Sequence, residues 1–184
     1  NKISYIPDEP IFYNNLTCLD NIKFIGRIFS NDTDIFNEKY ISLVKKFDFE
    51  KHLNKYPEEL SKGNKQKLMI ILGSLQNFKL MIADEPFTGL DPISLSTIAM
   101  LIKKLNTSLK QTAVLVTHDI AATMEIADYV YFMANGEIIA EGTPNEIKVT
   151  TNPAVKQFIH GEITGNFDYK YPSKLSYQHY LGQA

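Results

Sequence analysis

The sequence predicts an α/β fold: a mostly parallel sheet flanked by helices, with a helical subdomain inserted between strands and an extended C-terminal tail. Residues 80–83 (LMIA) and 113–116 (AVLV) are short unbroken apolar runs, the pattern of strands buried on both faces. Longer stretches with apolar residues three and four apart separate such runs, so strands alternate with helices as crossover connections require. Both runs end in polar chemistry, Asp84-Glu85 in one and Thr117-His118-Asp119 in the other. The carboxyl ends of parallel strands are where such sheets bind ligands.

In chain order, Ile3-Ser4-Tyr5-Ile6 alternates like a strand, and Pro7-Asp8-Glu9-Pro10 turns the chain away from it. Thr17 with Asp20 resembles a capping box that uses Asp in place of Glu. Leu19, Ile22, Ile25, Ile28 and Phe29 follow at helical spacing, a helix of about three turns. Asn31-Asp32-Thr33-Asp34 breaks it and caps a second helix carrying Ile35, Phe36, Ile41, Leu43, Val44 and Phe47, and Pro57 closes the region. Ser61 then leads into a helix with Leu68, Ile71, Leu72 and Leu75 on one face; Met69 and Ile70 make it apolar nearly all round, so deep packing is expected.

Pro86 stops the central strand, and Pro92 opens a helix whose face is Leu95, Ile98, Ile102 and Leu105. After the second apolar run a short helix presents Ile120, Met124 and Ala127 on one face. Residues 129–134 and 137–141 flank Asn135-Gly136, a hairpin signal because both turn residues tolerate positive φ. Short helices are expected from Pro144 and over residues 155–159. Residues 166–184 are rich in tyrosine without a period, and are expected to need another surface to order them.

With 184 residues, 44% of them hydrophobic, the chain supports one substantial core. Residues 1–160 read as one domain, with the helical subdomain at about 17–76, and residues 161–184 as a C-terminal extension. Net charge is −2 and the lysines are scattered in pairs, so no nucleic-acid partner is expected. Cys18, the single cysteine, excludes an internal disulfide and a cysteine-rich zinc site. No apolar run approaches the roughly 18 residues of a membrane helix. The chain begins at Asn1 rather than Met and enters a strand almost at once, so it is expected to be part of a longer polypeptide.

Four motifs stand in a telling order: LSKGN at residues 60–64, LMIADEP at 80–86, GLDP at 89–92 and VTHD at 116–119. Together they resemble the ATP-binding-cassette (ABC) ATPases, a branch of the P-loop NTPases. The resemblance covers nearly the whole chain and rests on the combination. It implies ATP and Mg²⁺ as cofactors, with Asp84 the Walker B carboxylate on the metal and Glu85 the catalytic base or water-orienting group. His118 resembles the switch histidine on the γ-phosphate, Asp91 the D-loop residue, and Ser61, Gly63 and Asn64 the signature motif that holds the nucleotide of an opposite subunit. Lys62 and Asn64 depart from the commonest form, LSGGQ, and leave the Ser and second Gly in place.

Two further departures matter. Asp8 stands where the family has the Q-loop glutamine, with Glu9 the alternative carboxylate. None of the nine glycines is followed by lysine, so the phosphate-cradling G-x-x-x-x-G-K-[ST] element is not in these residues. Its place in the family lies upstream of the Q-loop; truncation is the expected reason and a naturally degenerate cassette the alternative, and in either case no hydrolysis by this chain alone is expected. The implied partners are a second copy in a homodimer and an integral-membrane permease subunit, with a small regulatory subunit a further candidate, at the cytoplasmic face of a bacterial inner membrane. The tail pattern VKQF, Gly161 and Tyr171-Pro172 resembles the Mla-type phospholipid-transport ATPase, whereas YIPDEP and ELSKGNKQKL resemble ATPases of drug, peptide or antibiotic exporters. Other classes left open are a non-transport ABC protein and an inactive interaction module.

Overall fold

The computed structural model describes residues 3–29, 32–162 and 165. It divides into two compact units, residues 1–126 and 127–184. The expected order at the tail, residues 166–184, lies outside the described residues.

The first unit is built on a parallel sheet of β1 (Ile3–Ile6), β2 (Leu80–Asp84) and β3 (Thr112–Val116), in that spatial order. Ile3 pairs with Leu80 and Ile6 with Ala83; Leu80 pairs with Thr112 and Asp84 with Val116. A chain leaving one parallel strand must cross the sheet before it can enter the next. The first crossover holds the helical insert, α1 (Cys18–Phe29), α2 (Thr33–Lys46) and α3 (Lys62–Leu75); the second is α4 (Pro92–Leu109). Two single-turn 3₁₀ helices, Glu50–His52 and Pro57–Glu59, join α2 to α3 where the sequence showed only a closing proline.

Helix α3 is the axis of this unit, packing against α1, α2, α4 and β1. Leu68, Ile70 and Ile71 are fully buried, as an apolar circumference requires. It approaches β1 closely at Gly73: a Cβ there would meet Ile6 Cγ1 at 3.1 Å and Ser4 Oγ at 3.2 Å. The buried Ser4 hydroxyl donates to Gly73 O at 2.8 Å. Just beyond, Lys39 of α2 donates from Nζ to Leu75 O and Gln76 O, covering carbonyls that the C-terminal end of α3 leaves without partners. Burial holds the Lys39 ammonium below its usual pKa.

The Thr17 cap forms with one arm changed. Asp20 N donates to Thr17 Oγ1 at 3.1 Å, but the Asp20 carboxylate takes the Thr17 hydroxyl at 2.6 Å, because the shorter aspartate meets the side chain first. Asn21 is buried and spans the preceding loop, accepting from Tyr13 N and donating to Tyr13 O, Leu16 O and Thr17 O. Cys18 is fully buried, and burial pushes its thiol up to about 11, so it is not a nucleophile.

The strands differ from expectation in their burial. Met81 and Ala83 of β2 are buried while Leu80 and Ile82 are half-buried, and Val114 and Val116 of β3 are 45% and 51% exposed. Helices cover one face of the sheet; among the described residues of this unit the other is not fully covered. The following helix, α5 (Ile120–Ile126), buries Ala122 and Ile126 rather than Ile120 and Met124, and Ala127 falls beyond its end.

The second unit is a hairpin with two short helices. Strands β4 (Val130–Ala134) and β5 (Glu137–Gly142) pair antiparallel through Asn135 and Gly136, whose φ values are 53° and 81°. Helices α6 (Pro144–Lys148) and α7 (Pro153–His160) follow. Phe132 and Phe158 meet edge to face at 5.9 Å, and Asn152 Nδ2 donates to Ile139 O.

A steric prediction follows from Gly26. Any Cβ there would overlap the Phe36 ring, where α1 crosses α2. Gly26→Leu should therefore lower stability by about 1–3 kcal/mol despite its better helix propensity, read as a reduced urea midpoint at unchanged m-value.

Candidate functional site

The polar residues at the carboxyl edge of the first sheet form one connected group. Asp84 is the last residue of β2, and Tyr5 on β1 donates its hydroxyl to Asp84 Oδ2 at 3.1 Å. That bond is the main reason the Tyr5 phenol sits above its usual pKa, with smaller pushes from desolvation and the charges of Asp84 and Asp8. Asp8, just past β1, is exposed and lies near enough to act electrostatically on both Tyr5 and His118.

Glu85 is held in an unusual way. Its φ is +45°, a left-handed conformation that a non-glycine residue adopts at a cost of about 1–2 kcal/mol. Its N–H donates to Val116 O at 2.7 Å, tying the exit of β2 to the end of β3. The carboxylate is then fully engaged. Oε1 lies 2.9 Å from His118 Nδ1, while Oε2 takes the hydroxyls of Thr88 at 3.2 Å and Thr117 at 3.3 Å. The His118 side chain is 71% exposed against 25% for Glu85. The bond to Glu85, and then that carboxylate's charge, raise the His118 pKa above its usual value, with Asp119 and Asp8 adding smaller pushes.

Ser61, Gly63, Asn64 and Asp91 form a second group at the start of two helices. Ser61 caps α3, its hydroxyl accepting from Asn64 N at 3.4 Å. Asp91 caps α4, with Oδ1 accepting from Ile93 N at 3.1 Å and Ser94 N at 3.0 Å. Hydrogen bonds led by the Ser94 side chain hold the Asp91 carboxyl below its usual pKa. The two helix starts touch: a Cβ at Gly63 would meet Ser94 Oγ at 3.3 Å, and one at Gly89 would overlap Lys62 Nζ. Gly89 also needs its φ of +67°. Residues 85–91 run between the two groups through turns closed by Thr88 N to Glu85 O and Leu90 N to Phe87 O.

Sequence reasoning did not single out Tyr5, Thr88 or Thr117. Tyr5 carried a detectable signal: the alternation that buries Ser4 and Ile6 turns its side chain to the face on which Asp84 lies. Thr88 and Thr117 gave none beyond their closeness to the motifs.

With adjacent carboxylates at the exit of a central parallel strand and a helical insert in the first crossover, the fold is that of the P-loop NTPases. The comparisons with known proteins narrow the class: residues 1–88 match the family model described as "ABC transporter". It is 40% identical over 118 residues to the intermembrane phospholipid transport system ATP-binding protein MlaF of Haemophilus influenzae, covering 64% of this chain and 45% of the relative. It is 32% identical over 149 residues to the ABC-type transporter ATP-binding protein EcsA of Bacillus subtilis, covering 80% and 59%. Among solved structures it resembles the ATP-binding cassette MJ0796, a dimer in a post-hydrolysis state bound to ADP and Pi, with a TM-score of 0.67 and 25% identity over 78% of this chain and 63% of that one. The chain thus spans about half the length of the curated relatives it matches. Among the described residues no helix is long and apolar enough to cross a membrane.

The Glu85–His118 contact predicts a titration shift. His118 should titrate above the ordinary value of about 6.5, and Glu85→Gln should bring the midpoint back toward it, followed by the imidazole NMR resonances. Because the folded value is the raised one, the contact's contribution is complete below about pH 6.5 and lost as pH rises through the raised midpoint.

Proposed function

We propose that this chain is the ATP-binding and ATP-hydrolysing part of a bacterial ABC transporter subunit, driving phospholipid transport of the Mla type through nucleotide-dependent dimerisation. The observation that carries the reading is the Glu85 carboxylate, presented at the strand exit in a left-handed turn and bonded to His118. Glu85 orients the attacking water and accepts its proton, the role that a carboxylate beside a phosphoryl centre can fill. His118 holds the γ-phosphate, and its exposure leaves it free to leave Glu85 for that contact.

Asp84 would hold Mg²⁺. Mg²⁺ commonly keeps several waters and is held by one or two carboxylates together with substrate phosphates. One half-buried carboxylate at a strand exit, oriented by Tyr5, fits that requirement. When bound, Mg²⁺ neutralises charge developing on the phosphates. Asp8, near enough to act on Tyr5 and His118, would accept from water at that site. Ser61, Gly63 and Asn64 stand at the start of α3, where the Ser61 hydroxyl and the first-turn N–H groups, Asn64 N already on Ser61 Oγ, would face the γ-phosphate held by a second copy. Asp91, capping the helix beside that cradle, lies at the junction between subunits. The helical insert receives the membrane subunit, placing the chain peripherally at the cytoplasmic face of the membrane.

The phospholipid reading is supported by the 40% identity to MlaF. A second reading, a transporter for another cargo, is favoured by the longer match to EcsA, over 149 residues. Both share the same site. To test them, the full-length gene product is purified with its membrane subunit in vesicles containing a fluorescent phospholipid. Wild type should move the lipid on adding ATP, and Glu85→Gln should bind ATP while turnover and transfer fall at least ~100-fold. Normal turnover in Glu85→Gln contradicts the site assignment; ATP turnover without lipid movement contradicts the cargo alone.

A further inference from the structure

We infer that Thr88 and Thr117 are positioning residues for Glu85, a two-hydroxyl clamp that keeps its carboxylate aimed when His118 moves away. The inference rests on the reading of Glu85 just given. A carboxylate bonded to histidine alone would regain its rotamers once that histidine turned to another ligand. Here Oε1 faces His118, and the other oxygen is held separately: Oε2 takes hydroxyls from two different loops, Thr88 at 3.2 Å and Thr117 at 3.3 Å. Bonds to a charged acceptor are the stronger kind.

Each threonine is itself fixed. Thr88 N donates to Glu85 O at 3.2 Å, so the turn that carries Thr88 closes on the residue it holds. Thr117 Oγ1 accepts from Asp119 N at 3.1 Å, which leaves its hydroxyl proton for Glu85. Asp119 is anchored in turn, its Oδ1 accepting from Ala122 N at 2.9 Å and its carbonyl from the Thr123 hydroxyl at 2.7 Å, both in the first turn of α5. Both threonines are half-buried, so water competes weakly for these bonds. None of these contacts includes His118, and the clamp persists without it.

The experiment uses the full-length gene product carrying Thr88→Val, Thr117→Val, both together, the matching Ser variants, and Glu85→Gln as reference. Valine keeps the shape and removes the hydroxyl; serine restores it. Each valine should lower kcat roughly 3- to 10-fold, and the pair further, while the KM for ATP stays within about twofold and each serine returns most of the loss. The double valine should also accumulate the ATP-bound dimer on a sizing column, because it binds and hydrolyses slowly; a folding defect would lose that dimer. Valine variants at wild-type kcat overturn the clamp while Glu85→Gln remains inactive, and so do serine variants as slow as valine, which would mark a packing role. Should the double variant fail to fold, the single valines and serines decide. If Glu85→Gln itself turns over ATP, the site reading falls and the clamp with it.

Discussion

The bond from Glu85 N to Val116 O is the constraint on which the rest of the site depends. Pairing of β2 with β3 ends at Asp84 and Val116, and this bond extends the ladder by one donor while the chain has already left the strand. The turn requires positive φ at a residue with a side chain, a cost that neighbouring contacts must offset. Buried Pro86 and Phe87 hold the loop from below, and three side-chain bonds hold the carboxylate above. An exposed glutamate on a free loop would have none of this order. The outlier therefore points to function rather than to incidental geometry.

From that turn a short path leads to the helical insert. Residues 85–91 end at Asp91, which starts α4, and α4 begins against the start of α3 through Gly63 and Ser94. Helix α3 carries the other end of the insert, bound to α2 by Lys39 and to β1 through Gly73 and Ser4. The strand exit, the two helix starts and the insert thus form one packed series with no long flexible loop between them. The site and the insert are therefore in packed contact through these residues.

Much of this was legible in the sequence because its signals are local. Period 3.6 marked α1 to α4, Asn135-Gly136 fixed the hairpin, Asp32 stood where a cap forms and Pro92 where a helix starts. The parallel pairing of the two apolar runs brings their exits, Glu85 and His118, into hydrogen-bond contact. What a sequence does not carry is which face of a strand is covered: 113–116 is continuously apolar, yet Val114 and Val116 are about half exposed. Nor does it carry backbone sign at a non-glycine residue, so the positive φ of Glu85 had no signature. Tyr5, Thr88 and Thr117 escaped notice for a related reason, since their partners are set by register and turn geometry. A short helix such as α5 offers too few residues for its buried face to be read from periodicity.

The central claim is that a working site combines Glu85 of one copy with Ser61 of another, and dimers of mixed composition test it directly. One dimer pairs a Ser61→Arg subunit with a Glu85→Gln subunit; the other pairs a wild-type subunit with one carrying both changes. If the two residues meet across subunits, the first dimer keeps one intact site and hydrolyses ATP, whereas the second has none and is inactive. The reverse pattern, activity only in the second dimer, would place both residues in the same subunit's site and contradict the account.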